Sequence, residues 1–342
     1  MKKTTPIFCL LTLILLACAL PTLAAGKKYA LFVGINDYEN YNGLNGAVPD
    51  VEHMKALLES KFGFTDANDK MLTDHDATRA NILAALKAMA AKTVKGDLFV
   101  FHYSGHGTLW LDSKSLEMDE TEKTELHVKF EDGSRIDYPL DYYDSAICPV
   151  DSGVFTGGMP WPNLILDDEL YAIMAPMTAK GVNVVFISDS CHSGGIGKAG
   201  AIKGKVRVID PLSAAKIKSF ADIKAPKGQK KVAPQAMTGN YIVLTAAQNN
   251  EFAMDSPGKG KLGGLFTSTL IDAINANKPT VSYSRIMDLV KRDVSSVSQT
   301  QFENPQHPNL DGRFGNTTLP IFTMPVAAVS KPPAGKPHKK GN

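Results

Sequence analysis

Four short, nearly continuous apolar segments constrain the fold of this 342-residue chain more than any other feature. They lie at residues 29–36, 97–104, 182–190 and 241–247, and they are rich in Val, Ile and Phe. Such segments are typical of β-strands that are buried on both faces, as in a parallel sheet. The chain therefore has the strands for one central sheet.

Segments with helical spacing of apolar residues lie between and after these strands. We predict helices at residues 50–62, 78–91, 167–174, 265–276 and 283–295. Alternation of buried strands and amphipathic helices predicts an α/β fold, in which helices flank a mostly parallel sheet.

Three stretches depart from this alternation. Residues 108–145 are polar and acid-rich, and we predict an insertion that forms a hairpin. Residues 196–236 are basic and contain Gly and Pro, which predicts a mobile loop. The tail at 326–342 is predicted to be disordered.

The first 25 residues have the layout of a secretory signal peptide. Lys2 and Lys3 precede an apolar segment at 7–20, which is shorter than the ~20 residues that a membrane span needs. We expect cleavage near residue 25, no transmembrane span afterwards, and export to a periplasm or to the cell exterior. Lipid attachment at Cys18 is a second possibility.

Removal of this segment changes the charge and the cysteine content. The chain has 37 Lys and Arg against 35 Asp and Glu, and loss of two lysines leaves 35 against 35. A general attraction to nucleic acid therefore has no support. Two of the four cysteines are also removed with this segment. The remaining Cys148 and Cys191 are too few for a disulfide scaffold, although they could form a disulfide with each other.

His106 and Cys191 each lie just past the end of a predicted strand, next to glycines. Ligands of open parallel sheets bind beyond the carboxyl ends of the strands, so these two side chains meet if their strands are neighbours. An imidazolium beside a thiol lowers the thiol pKa, and the thiolate can then attack a carbonyl carbon while His106 protonates the leaving amine. Main-chain N–H groups of Gly107 and Cys191 are the candidate oxyanion donors.

Other polar residues near the two motifs have alternative interpretations. His102 lies within an apolar strand and is expected to be a buried structural ring, and His192 follows Cys191 and should point away from it. A zinc site that adds His102 to the pair lacks the ligand spacing of zinc proteins. A serine hydrolase that uses Ser104 or Ser193 lacks the Gly-x-Ser-x-Gly turn.

The segments "HYSGHG" at 102–107 and "DSCHSGG" at 189–195 resemble the two active-site motifs of metacaspases and their bacterial relatives among the caspase-like cysteine peptidases. The resemblance covers residues 28–323. It implies a caspase-like three-layer sandwich, with His106 as acid and base and Cys191 as nucleophile. Within the expected domain at 27–323, residues 27–195 would be the large-subunit-like part and residues 237–323 the small-subunit-like part.

The resemblance also implies a substrate class. Metacaspases cleave after Arg or Lys and hold that side chain with acidic residues, and the matching positions are Asp50 and Asp189. Ser104 is assigned to substrate binding with them. Alternation places Asp189 on the same side of the chain as Cys191, and buried carboxylates would bind a guanidinium through charge-assisted hydrogen bonds. The alternative for Asp50 is a helix N-cap.

Many metacaspases need calcium, near carboxylates that match Asp151, Asp167 and Asp168. Clustered oxygen ligands are what Ca²⁺ requires. A further acid of the family pattern aligns with Lys198 here, and this departure weakens the prediction. The alternative is that Asp167 and Asp168 cap the following helix. We therefore expect no cofactor for the chemistry itself, with Ca²⁺ as a candidate activator.

The basic loop at 196–236 lies where the large-subunit and small-subunit regions join. Five of its ten Lys and Arg residues are candidate cleavage sites for a peptidase that cuts after Arg or Lys, so self-processing is a hypothesis: Lys203, Lys205, Arg207, Lys216 and Lys218. A gingipain-like or clostripain-like peptidase and a catalytically silent peptide-binding module are the alternatives. The partner is a peptide or protein in each case, and the sequence does not indicate an oligomeric state.

Overall fold

A computed structural model describes most of the chain. The described residues are 26–111, 125–129, 135–139, 143–155, 162–191, 204–209, 237–248, 251–255, 263–312 and 315–323.

The structure has eleven named strands and five α-helices within these ranges. The strands are β1 Lys28–Gly34, β2 Asp69–Thr73, β3 Leu98–Ser104, β4 Gly107–Leu111, β5 Glu125–Lys129, β6 Arg135–Pro139, β7 Tyr143–Ile147, β8 Ile165–Leu166, β9 Asn183–Asp189, β10 Tyr241–Thr245 and β11 Asn309–Gly312. The helices are α1 Ala47–Phe62, α2 Arg79–Lys92, α3 Asp167–Ala179, α4 Leu265–Asn275 and α5 Tyr283–Gln301.

The central sheet has six strands in the order β11-β10-β9-β3-β1-β2. All neighbouring pairs are parallel except β10 with β11 at the edge. This arrangement confirms the predicted α/β class. It also makes β3 and β9 direct neighbours, with Ser104 opposite Asp189 at their carboxyl ends.

Alternate residues of each strand pack into two separate hydrophobic clusters, one on each face of the sheet. In β1, Leu31 and Val33 belong to the cluster that includes α2 and α3, which we call the α2–α3 cluster. Ala30 and Phe32 belong to the cluster that includes α1, α4 and α5, which we call the α1–α4–α5 cluster. The strand period of two thus produces the three layers of the sandwich.

Two smaller sheets are separate from the six-stranded sheet, and β4, β7 and β8 contribute Trp110, Ile147 and Ile165 to the α2–α3 cluster. β4, β7 and β8 form an antiparallel sheet, and β5 pairs with β6. The predicted insertion at 108–145 therefore contains a two-stranded pair and contributes to a second sheet. β4 begins at Gly107, directly after His106, so this sheet starts at the active-site edge.

Three helices are longer than the sequence pattern predicts, and α1 begins at Ala47 rather than at residue 50. α3 continues to Ala179 rather than ending at residue 174, and α5 continues to Gln301 rather than residue 295. In α3 the added turn is buried through Met177 and Thr178, so tertiary packing extends a helix that contains Pro176. In the part of the chain that is described, no helix combines the length and apolar character needed to cross a membrane.

Candidate active site

The predicted catalytic pair lies at the carboxyl ends of β3 and β9. His106 and Cys191 each follow the paired residues Ser104 and Asp189 by two positions, and both are buried. The N–H of Gly105 donates to Asp189 O at 3.2 Å, which holds the two strand ends together. The neighbouring strands that the sequence argument requires are therefore present.

The His106 ring is oriented by a main-chain carbonyl. Its Nε2 lies 2.8 Å from the O atom of Asn42, which can only accept a hydrogen bond, so Nε2 carries the proton. Nδ1 has no hydrogen-bond partner among the described residues and is left as the basic nitrogen. Tyr38 Oη accepts the His106 N–H at 2.7 Å, and Tyr103 Oη donates to His106 O at 2.6 Å. No sequence motif indicates a role for these two tyrosines.

The Cys191 thiol contacts a segment from the small-subunit-like region. Its Sγ accepts a hydrogen bond from the N–H of Ala253 at 3.0 Å. Cys148 is buried as well, and both cysteines are free thiols, so the alternative of a Cys148–Cys191 disulfide is wrong. The thiol is thus available for chemistry.

Residues 204–209 lie across this edge like a bound substrate. Arg207 is fully buried, and its O atom accepts hydrogen bonds from Gly107 N at 2.9 Å and Cys191 N at 3.3 Å. Its N–H donates to Ala253 O at 3.0 Å, and Asp255 N donates to Lys205 O at 2.8 Å. The predicted mobile loop is therefore wrong for these residues, because an antiparallel bridge and a buried side chain hold them in place.

The Arg207 guanidinium fills a pocket of three carboxylates. It lies 2.8 Å from Asp50 Oδ2, 3.1 Å from Asp189 Oδ1 and 3.1 Å from Asp255 Oδ1. Nη1 also donates to Ser104 Oγ at 2.7 Å and to Asp189 O at 3.0 Å. The structure thus places all three predicted substrate-binding residues around one cation.

Asp50 faces the pocket and does not cap a helix. It lies in the first turn of α1, where its Oδ2 accepts from Ser104 Oγ at 2.7 Å and its Oδ1 accepts from Gly264 N at 2.8 Å. The helix N-cap position is Gly46, without a side-chain bond, so the capping alternative for Asp50 is wrong.

Asp255 is a pocket residue that the sequence analysis missed. It is buried, and it accepts hydrogen bonds from Asn45 N at 2.8 Å and Gly46 N at 3.1 Å. The only sequence signal is an acid directly after the apolar residues 252–254. Its neighbours Asn45 and Gly46 are about two hundred positions away, so no local pattern shows the contact.

Burial controls the protonation of the site. It raises the pKa of Cys191 to about 12 and lowers the pKa of His106 to about 4, so thiol and imidazole are both neutral between these values. The sequence predicts an ion pair between the two side chains instead. The difference arises because residues 204–209 cover the site and exclude the water that would stabilise the charged forms.

The acid pocket has a perturbed carboxyl as well. Burial raises the pKa of Asp50 to about 7, with Asp189 adding to the rise and Arg207 opposing it. Although burial alone would lower the pKa of Arg207, the three carboxylates hold it above its ordinary value. His102 is a buried neutral ring, as predicted, because burial lowers its pKa to about 3, and its Nε2 lies 3.4 Å from Thr267 Oγ1.

At two positions in the site, neighbouring atoms lie so close to the main chain that only glycine fits. A Cβ on Gly107 would lie 1.9 Å from Cys191 O, so β4 can run beside the nucleophile only without a side chain there. A Cβ on Gly264 would lie 2.5 Å from Arg207 Nη2 and 2.6 Å from Asp189 Oδ2, so this glycine leaves the room that the guanidinium occupies.

The residues predicted to bind calcium have other partners. Asp151 Oδ1 accepts from Arg79 N at 2.8 Å, at the start of α2, and its Oδ2 accepts from Asn163 Nδ2 at 3.2 Å. Asp167 Oδ1 accepts from Asp168 N at 2.8 Å in the first turn of α3. Over the described residues, no group of three or more His, Cys, Asp or Glu side chains is arranged to hold a metal.

Several predicted features lie outside the described residues. These are the signal segment with Cys18, His192, Ser193, Lys198, Lys203, Lys216, Lys218 and the tail.

A thiol, an oriented imidazole and two N–H groups that converge on one carbonyl oxygen define a cysteine peptidase site. Residues 27–314 match the family model of the Caspase domain. The chain belongs to this family, and it is a cysteine-type peptidase.

Similar proteins agree with this assignment. Metacaspase-1A of Aspergillus niger is 26% identical over 309 residues, which cover 81% of this chain and 69% of that protein. Metacaspase-1 of Mycosarcoma maydis is 28% identical over 319 residues, which cover 83% of this chain and 71% of that protein. The crystal structure of protein GSU0716 from Geobacter sulfurreducens has a TM-score of 0.58 at 23% identity, and covers 87% of this chain and 99% of its own, which supports the fold.

Proposed function

We propose that this peptidase cleaves peptide bonds after Arg, and more slowly after Lys, and that its own Arg207–Val208 bond is its first substrate. One observation carries the proposal: the Arg207 side chain fills the acid pocket while its carbonyl oxygen lies between the N–H groups of Gly107 and Cys191. A residue bound at both points occupies the position of the residue before a scissile bond.

The proposed reaction uses His106, Cys191 and the two main-chain N–H groups that bind Arg207 O. His106 Nδ1 removes the Cys191 proton, and Sγ forms a bond to the carbonyl carbon of Arg207. The oxyanion accepts hydrogen bonds from Gly107 and Cys191, each typically worth ~3 kcal/mol in a dry site. Protonated His106 gives its proton to the nitrogen of Val208, the C–N bond breaks, and water then hydrolyses the thioester.

Self-cleavage would also change the electrostatics of the site. Release of the chain after Arg207 lets water reach Cys191 and His106, which reduces the burial that keeps both neutral. The uncut chain is then the less active form. This is the role that we assign to the self-processing predicted from the basic loop.

Export and calcium activation remain parts of the proposal that rest on the sequence. The N-terminal segment supports export, and the resemblance to metacaspases supports calcium. Addition of Ca²⁺ and of a chelator to the purified peptidase tests calcium activation. Sequencing of the N-terminus of the protein recovered from its host tests removal of residues 1–25.

The test of specificity is a panel of peptides that differ only in the residue before the cleaved bond. With reductant present, we expect turnover after Arg to exceed turnover after Lys, and turnover after Asp to be absent. The Cys191→Ala variant is the matched control and should be inactive toward all three. Equal turnover after Arg and Asp would contradict the acid pocket as the specificity site.

A further inference from the structure

We infer that the enzyme also recognises its substrate beyond the cleaved bond, through a subsite that takes a branched apolar residue two positions after the scissile Arg. Thr108 and the α2–α3 cluster form this subsite. The inference rests on the proposed function, because it assigns Arg207–Val208 as the bond that is cut.

The main chain after Arg207 is also held by hydrogen bonds. Val208 forms a parallel bridge with Gly107 at the start of β4. Ile209 N donates to Gly107 O at 3.4 Å, and Ile209 O accepts from Thr108 Oγ1 at 3.0 Å. Thr108 is fully buried, so its hydroxyl has little access to water and is directed at the substrate-like segment.

The Ile209 side chain is recognised by burial. It is only 6% exposed and belongs to the α2–α3 cluster. Lys205, two positions before Arg207, is exposed, and its Nζ donates a hydrogen bond to Asn45 Oδ1 at 3.4 Å. Recognition therefore differs on the two sides of the bond. The second position before Arg is exposed and tolerates different residues, whereas the second position after Arg is buried and selects an apolar residue.

Val206 and Val208 show that side chains of this segment alternate between two sides. Both are partly buried against the α1–α4–α5 cluster, on the opposite side from Ile209, as alternation in an extended chain requires. The substrate class that fits the whole segment is an extended peptide with Arg before the cut and an aliphatic residue at the second position after it.

This subsite predicts a difference between two kinds of assay substrate. A reporter dye attached directly after Arg leaves the subsite empty. An internally quenched peptide with the sequence Lys-Val-Arg-Val-Ile fills it. We expect kcat/KM to be higher for the longer peptide by roughly tenfold, the ratio that burial of one aliphatic side chain gives.

The first test uses three internally quenched peptides and the full peptidase. Replacement of the Ile by Asp should lower kcat/KM roughly tenfold or more, because a charge then enters an apolar site. Replacement of the Lys by Ala, at the exposed position, is the matched control and should change kcat/KM by less than about twofold. Equal cleavage of all three peptides would overturn the subsite while leaving cleavage after Arg intact.

The second test changes the enzyme. Thr108→Val keeps the shape of the side chain and removes its hydroxyl, and it should lower the ratio of kcat/KM for the long peptide to that for the short reporter by roughly threefold to tenfold. Thr108→Ser should retain the ratio. If Thr108→Val lowers kcat/KM equally for both substrates, Thr108 is only structural and the inference is wrong. If no Arg peptide is cleaved at all, the proposed function fails, and the subsite fails with it.

Discussion

The acids of the pocket and the acids at the start of α2 and α3 differ in burial and in what neutralises them. Asp50, Asp189 and Asp255 are buried and share the guanidinium of Arg207. Asp151, Asp167 and Asp168 are partly exposed, and the first two accept main-chain N–H groups at the first turns of helices.

This difference shows what determines the role of a carboxylate. A buried carboxylate is costly unless a cation and hydrogen bonds compensate for lost hydration, so three of them together create a strong demand for one positive charge. A partly exposed carboxylate at a helix N-terminus is stabilised by the helix dipole and by water, and it needs no cation. The pocket is therefore a cation site, whereas the other acids stabilise helices in this arrangement.

The largest effect is expected from loss of a buried pocket charge. Asp189→Asn leaves Arg207 with one partner fewer in a dry site, where loss of a partner typically costs ~3–5 kcal/mol. We expect self-cleavage at Arg207–Val208 to slow by a hundredfold or more, as measured by mass spectrometry over time. Asp151→Asn is the matched control and should leave the rate within about threefold. Equal effects of the two variants would remove the distinction between the two groups of acids.

A smaller effect is expected from a change of the cation. Arg207→Lys keeps the charge but replaces two nitrogens, which contact separate carboxylates, with one ammonium group. Self-cleavage should slow by roughly tenfold, the equivalent of about one charge-assisted hydrogen bond. A time course of fragment formation measures the ratio, and an unchanged rate would mean that the pocket recognises charge without geometry.

The pocket should also show a pH dependence. The pKa of Asp50 is raised to about 7 by burial, so this carboxyl is protonated below that value and ionised above it. The pocket therefore becomes more negative as the pH rises from 6 to 8, and KM for a peptide with Arg before the cut should fall over this range. In Asp50→Asn this fall should be absent. Persistence of the same fall in the variant would assign it to another group.

The smallest effect is expected at the helix starts. Asp151→Ala removes the acceptor of Arg79 N at the beginning of α2, and such losses typically cost about 1 kcal/mol of folding stability. Chemical denaturation should detect this change, while the cleavage rate after Arg stays close to that of the unmodified chain. A large loss of activity with normal stability would instead support a functional site at Asp151.

The sheet and the placement of His106 and Cys191 just past the ends of neighbouring strands were predictable because they depend on local patterns. Buried strands are visible as apolar segments, and the carboxyl ends of neighbouring parallel strands meet at one edge. Asp50 and Asp189 were identified through the family resemblance, and alternation next to Cys191 agreed with the assignment of Asp189. The α/β class and the family were confirmed.

The burial of Arg207 in the acid pocket was not predictable. Nothing in a basic, Gly-containing stretch distinguishes this residue from the other four candidate cleavage sites. Its burial depends on Asp255 and on room beside Gly264, which are both distant in sequence. The neutral state of His106 and Cys191 could not be predicted either, since it arises because residues 204–209 cover the site and exclude water. Long-range contacts of this kind leave no periodic signal in the chain.

The most direct test of the account is the position of self-cleavage. The full chain and its Cys191→Ala variant are expressed under the same conditions, and the new termini are mapped by mass spectrometry. The account predicts fragments that end at Arg207 and begin at Val208 in the active chain, and an intact variant. Cutting at another basic residue, or equal cutting of the variant, would contradict it.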